Sequence, residues 1–294
     1  MVDRPPGGAR PSTEPAVLLD RDGGVLRIGL NRPERRNALD TASVRRLVGA
    51  LEDAATDDTL RVVLIEGRGP DFCSGADWVA SNTADTADTA TTSTTSDASK
   101  AAGGTRPRPG SVQRRTALQA HRLIQLVTEV QLPVVCAVRG YAAGLGFQLA
   151  LAADFTVAAE NSTFWEPFLT RGFSPDSGAT WLLPRLVGVA RAKELLLLGR
   201  RLSGAEAAEW GLVYRAVPDV DLDKAVASLV ETLGQAATVA VGLTKRLVNR
   251  GLELGLTEAM QDEAFALELA SRTADFREGL AAFRERRAPG FGGR

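Results

Sequence analysis

Two stretches of the chain share one layout: a short apolar run, a turn of small residues, then the start of a helix. Residues 61–66 (RVVLIE) lead into Asp71-Phe72-Cys73-Ser74-Gly75-Ala76-Asp77-Trp78. Residues 133–138 (PVVCAV) lead into Arg139-Gly140-Tyr141-Ala142-Ala143-Gly144-Leu145-Gly146-Phe147-Gln148. Each apolar run reads as a buried strand. Small residues let a backbone approach a ligand closely, and the first turn of a helix presents N–H groups with no internal acceptor. Two such ends converging on one carbonyl would form an oxyanion hole, which stabilises an enolate or a tetrahedral oxyanion. Loss of one donor there typically costs ~10²–10³ in rate. A glycine turn taken alone also serves as a plain tight connection. The second turn is not a dinucleotide fingerprint, because 140–146 lacks the G-x-G-x-x-G spacing and its downstream acidic residue.

The rest of the chain extends this pattern. Residues 17–20 and 25–30 flank Asp22-Gly23-Gly24 and predict a hairpin. Asp40 is placed to cap a helix reaching about Ala55, with Val44, Leu47, Val48 and Leu51 on one face. Further helices are expected over 114–130 and 145–153, with a strand at 155–158 between 153 and the helical region. From Ala190 onwards the pattern is mainly helical, at 190–199, 204–210, 222–234, 238–251, 256–271 and 274–286. Strands that alternate with helices and then give way to helices predict an α/β core with a helical C-terminal region. Residues 81–105 contain no Ile, Leu, Val, Met, Phe, Trp, Tyr or Cys. Such a segment cannot bury enough apolar surface to offset its ordering entropy, and it reads as a flexible surface insertion, extending over 81–112, in one domain spanning 16–294. Residues 1–15 read as a disordered arm, without the apolar stretch of a secretory signal.

Composition removes several classes of function. With 35 Lys+Arg against 36 Asp+Glu there is no global basic field, so nucleic acid is not an expected partner. The most apolar region, 132–153, is interrupted by Arg139, Gln148 and glycines, so no membrane span is expected. Cys73 and Cys136 are too few for a disulfide scaffold or a four-cysteine zinc site and read as reduced thiols of a cytosolic protein. The single histidine, His121, excludes a multi-histidine metal site.

Several motifs now carry a resemblance. Asn31-Arg32-Pro33-Glu34-Arg35-Arg36-Asn37-Ala38-Leu39, Phe72 to Asp77, and Pro133 to Ala150 resemble, in this order and spacing, the crotonase superfamily of enoyl-CoA hydratases and isomerases. So do Gly172 to Thr180 with Arg185 to Gly188, Gly199 through Val213, and Phe276 to Arg287. The resemblance covers nearly everything outside 1–15 and 81–112. It implies a spiral of ββα units with a C-terminal helical region that trimerises, giving a homotrimer or hexamer. It also implies an acyl-CoA thioester substrate, with coenzyme A as part of the substrate and no metal or redox cofactor. The thioester oxygen would meet the backbone N–H groups of Ala76 and Leu145. Leu145 stands where the family commonly has glycine. Ser74, Gly75, Asp77, Trp78 and Gly144 would line the substrate groove, Arg35 or Arg36 would meet CoA phosphates, and Phe283 and Arg286 would contribute from a neighbouring subunit.

The hydratase branch uses two glutamates to place and activate water. The resemblance puts these on Gln148 and Phe168, so both positions would line the pocket without acting as bases. Glu166, two residues earlier, is expected to meet solvent or a neighbouring subunit. Asp154 is expected to end the 145–153 helix or form a structural pair. One carboxylate remains at a position used by other branches, Asp176, although an Asp before the run 177–187 also suits a helix cap. Phe168, Phe173 and Trp181 would raise its proton affinity. His121 lies on the edge of a Leu118/Ile124 stripe, and one dehalogenase branch has a water-activating histidine at this spacing. Three readings follow: an enoyl-CoA isomerase with Asp176 as acid and base, a hydrolytic or dehalogenating enzyme with Asp176 as nucleophile and His121 as base, and an acyl-CoA-binding protein without catalysis.

Overall fold

The computed structural model describes residues 14–77 and 110–294. Trp78, the polar stretch 81–105 and nearly all of the N-terminal arm lie outside the described residues. The larger sheet has six strands in the order β1-β2-β3-β4-β6-β9. Strands β1 (Val17–Asp22) and β2 (Val25–Leu30) form the expected hairpin, with Gly23 and Gly24 both at positive φ in the turn. Strands β3 (Val62–Gly67), β4 (Val134–Val138), β6 (Phe155–Ala159) and β9 (Arg215–Val217) continue it in parallel.

The unbroken apolar runs of β3 and β4 have a direct cause. Side chains alternate between sheet faces, and both faces are covered. Val63, Ile65 and Cys136 enter the main core together with α1 (Thr41–Ala54). Val62, Leu64, Val135 and Ala137 enter a second core. There they meet Leu222, Val226 and Val230 of α7 (Leu222–Gly234).

A smaller sheet joins β5 (Tyr141–Ala143), β7 (Thr163–Trp165) and β8 (Arg201–Ser203). These three strands and β9 were not expected from the sequence. Each has only three residues, too few to show a period of two.

The helices follow the expected pattern with two corrections. Asp40 caps α1 by accepting from Ser43 N–H at 2.8 Å. Helix α2 (Ser111–Thr116) starts earlier than expected, inside the stretch read as insertion. A π-helical turn at Ala117–His121 connects it to α3 (Arg122–Glu129). The wide turn rotates Leu118 out to 78% exposure while Leu123, Ile124 and Val127 stay buried, so the Leu118/Ile124 stripe does not exist. Next come α4 (Leu145–Ala152), α5 (Ala179–Leu198), broken at Gly188 by a φ of 75°, and α6 (Gly204–Glu209). After α7, α8 (Thr238–Gly251), α9 (Leu256–Ala270) and α10 (Ala274–Glu285) complete the helical C-terminal region. Helix α8 is tied to the sheet by Lys245, whose ammonium donates to Val127 C=O, Leu132 C=O and Asp154. Asp154 also accepts from Val134 N–H, so it is the structural pair the sequence suggested. No single helix among the described residues is long and apolar enough to cross a membrane.

Candidate active site

The two glycine turns are hydrogen-bonded to each other. Phe72 N–H donates to Arg139 C=O at 2.7 Å, Cys73 N–H to Tyr141 C=O at 2.8 Å, and Ala143 N–H to Cys73 C=O at 2.9 Å. Asp71 Oδ1 accepts from Tyr141 N–H. Asn37, buried and at a φ of 54°, donates to the carbonyls of Arg68 and Asp71 and holds the first turn from behind.

Gly75 sits at a close approach of the two turns. Its φ is 100°, and a Cβ there would lie 2.8 Å from Ala143 O and 3.5 Å from Leu145 N. Leu39 N–H donates to Gly75 C=O and Leu39 C=O accepts from Asp77 N–H, a parallel bridge that leaves Ala76 N–H on the opposite side. Gly144 C=O accepts from Phe147 and Gln148 N–H, so Leu145 N–H is a first-turn donor of α4 with no intrahelical acceptor. Ala76 and Leu145 line one cleft, together with Ser74, Gly75, Gly144 and Phe168. The side chain of Leu145 is buried in the main core, so it does not displace the backbone donor.

Asp176 lines the same cleft. Its carboxylate does not cap a helix: α5 has Gly178 as its N-cap, with no side-chain cap bond. Burial pushes the Asp176 carboxyl above the usual carboxylate range, against the opposing pull of the Ser177 hydroxyl and His121. Asp40 also borders the cleft but is committed elsewhere. Against some burial, Ser43 and Arg32 hold it below the usual range.

Glu166 corrects the sequence reading most clearly. It meets neither solvent nor an open edge; it is 1% exposed and accepts from Gln148 Nε2 at 2.9 and 3.0 Å through both oxygens. Strand β7 stops at Trp165, and Glu166 follows it directly, turned into the interior. Burial raises the Glu166 carboxyl well above its usual range, the Gln148 amide opposes this, and the Asp176 charge adds to it. Gln148 is itself fully buried and its Oε1 has no hydrogen-bond partner. Phe168 is buried and meets Phe173 edge to face, ring centroids 5.6 Å apart.

The remaining candidates divide. Asp77 is not in the cleft wall; it is buried against Arg32 at 3.1 Å and braces the first turn. Arg36 lies over the Tyr141 ring at 5.1 Å and pairs with Asp71, while Arg35 is exposed and its carbonyl accepts from Ser74 Oγ. Phe283 is 85% exposed and Arg286 ends α10; neither lines this chain's cleft. His121 lines an adjoining cavity with Ile124, Thr128 and Trp181, and Ser177 borders both spaces. Sequence reasoning missed Val112, Arg115, Thr116 and Gln119, which line the cleft from one face of α2 and the π turn. Their spacing of three and four residues was the available signal.

Comparison with known proteins agrees with this architecture. The enoyl-CoA hydratase/isomerase family profile matches residues 20–102 and 102–294. The chain is 36% identical over 279 residues to the 1,2-epoxyphenylacetyl-CoA isomerase of Escherichia coli K12, covering 95% of this chain and 98% of that one. It is 33% identical over 279 residues to the 2,3-dehydroadipyl-CoA hydratase of the same organism, covering 95% and 99%. The crystal structure of an enoyl-CoA hydratase from Bacillus anthracis superposes with a TM-score of 0.82 at 32% identity, covering 95% of this chain and all of that one. Isomerases and hydratases therefore share the frame on which these two turns meet, and the chain belongs to the enoyl-CoA hydratase/isomerase family of the crotonase superfamily.

Proposed function

We propose that the chain is an acyl-CoA enzyme that shifts a double bond in an enoyl-CoA, with Asp176 as the single acid and base. The observation that carries this reading is a carboxylate of raised proton affinity, free of any capping role, in the same cleft as the two backbone donors. Asp176 takes a proton from the α-carbon of a 3-enoyl-CoA. The electron pair delocalises onto the thioester oxygen, where Ala76 N–H and Leu145 N–H stabilise the enolate. Asp176 then returns the proton to the γ-carbon and yields the 2-enoyl-CoA. The step moves one proton and two electron pairs within the substrate. Gln148 and Phe168, at the positions where the resemblance expects the two glutamates, support isomerisation over hydration. The nucleophilic reading with His121 as water-activating base has less support, because His121 lines the adjoining cavity rather than the cleft. Apolar side chains exposed on α9 and α10, including Leu256, Phe265 and Phe283, support assembly into a trimer or hexamer.

Asp176→Asn tests the assignment. Turnover of a 3-enoyl-CoA should fall by about 10²–10⁴-fold, and mass spectrometry in heavy water should show loss of α-carbon exchange while acyl-CoA binding persists. Full activity in that variant refutes the role.

A further inference from the structure

Ser177 combines three features that a surface turn would not retain. It is a non-glycine residue at a φ of 50°, in the left-handed region that disfavours a Cβ. It is 2% exposed. Its buried hydroxyl makes no hydrogen bond in this structure, and a group in that state costs stability. Glycine would relieve both the backbone and the hydroxyl, as Gly178 does one residue later at a φ of 86°. The helix does not need the hydroxyl either, since α5 uses no side-chain cap.

We propose that Ser177 is a positioning residue for Asp176, its hydroxyl held ready to donate to the carboxylate once that group ionises. The inference rests on the reading of Asp176 as acid and base. Proton abstraction requires the ionised form, and a hydrogen bond to that form fixes its orientation and lowers its proton affinity. Burial raises the proton affinity of Asp176, and the Ser177 hydroxyl and His121 oppose it. The other charged groups around this space are Glu166 behind it, Asp40, Arg115 and Arg171 around the cleft, and Glu253 beyond His121.

Two variants separate positioning from backbone geometry. Ser177→Ala removes the hydroxyl and keeps the strain; Ser177→Gly removes both. The pH profile of kcat/KM should show its acid limb moved to higher pH in both, with about tenfold loss at pH values below the limb. The glycine variant should unfold at or above the wild-type temperature, since its backbone suits a positive φ. Carbon-13 NMR titration of the Asp176 carboxyl, assigned with Asp176→Asn, should move in the same direction without any turnover. A wild-type pH profile and a wild-type titration in Ser177→Gly overturn the proposal and reduce the residue to a turn position. If Asp176→Asn remains active, the functional reading fails, and the NMR titration still decides whether Ser177 controls the carboxyl.

Discussion

Replacing Glu166 with glutamine should stabilise the protein at neutral pH, although it removes a buried residue's native hydrogen-bond partner. Glu166 is 1% exposed, has one amide donor and no cation, and burial raises its proton affinity well above the usual value. Folding therefore takes up a proton wherever the pH lies between the unfolded and folded pKa values. Stability is greatest below the unfolded value and falls as pH rises toward the folded one, by about 1.4 kcal/mol per pH unit. An unfolded glutamate titrates near 4.3, so the penalty at pH 7 has a ceiling of about 3–4 kcal/mol. Glutamine carries no such penalty. Like a protonated carboxyl, its amide offers a donor to Gln148 Oε1, which has no partner in this structure. Urea unfolding of wild type and Glu166→Gln at pH 5 and pH 7.5 is the assay. The variant should be more stable by about 1–3 kcal/mol at pH 7.5, with a smaller gap at pH 5. A variant less stable than wild type at pH 7.5, or a gap independent of pH, refutes the argument that burial raises the proton affinity of Glu166.

Gly75→Ala should lower kcat/KM by about 10²–10³-fold, because its methyl would lie 2.8 Å from Ala143 O and push the two donor segments apart; steady-state kinetics beside a far-ultraviolet spectrum checks this. Lys245→Met should destabilise by about 3–5 kcal/mol in denaturant titration, leaving the half-buried Asp154 without its cation.

What could be read from the sequence depended on how local its cause was. The two turns were legible because close backbone approach needs glycine, and Gly75 shows why: its neighbour across the turn is a backbone carbonyl. Asp176 was legible through its motif, but whether its carboxylate capped a helix depended on where α5 begins. Glu166 was misread because its burial depends on Gln148, a partner 18 residues away in the sequence. Val112, at the start of α2, was assigned to the polar insertion, and the phase of the helix through His121 was missed because a π turn leaves no sequence period. The short strands β5, β7, β8 and β9 exist only through pairing with distant partners.

The amide at 148 is connected to the buried acid at 166. Gln148 Nε2 lies 2.9 and 3.0 Å from the two oxygens of Glu166. A carboxylate at 148 would put two buried acids at that separation, and two like charges so close in a dry site cannot both ionise. An amide at 148 removes the conflict and holds Glu166 in place. Phe168, packed on Phe173, presents a surface that offers water no partner. Hydration needs a water molecule held between polar groups, whereas a proton shift needs one acid beside a stabilised enolate. The interior around Gln148, Glu166 and Phe168 thus fits the proposed proton shift better than it fits hydration, with Asp176 as the proposed acid.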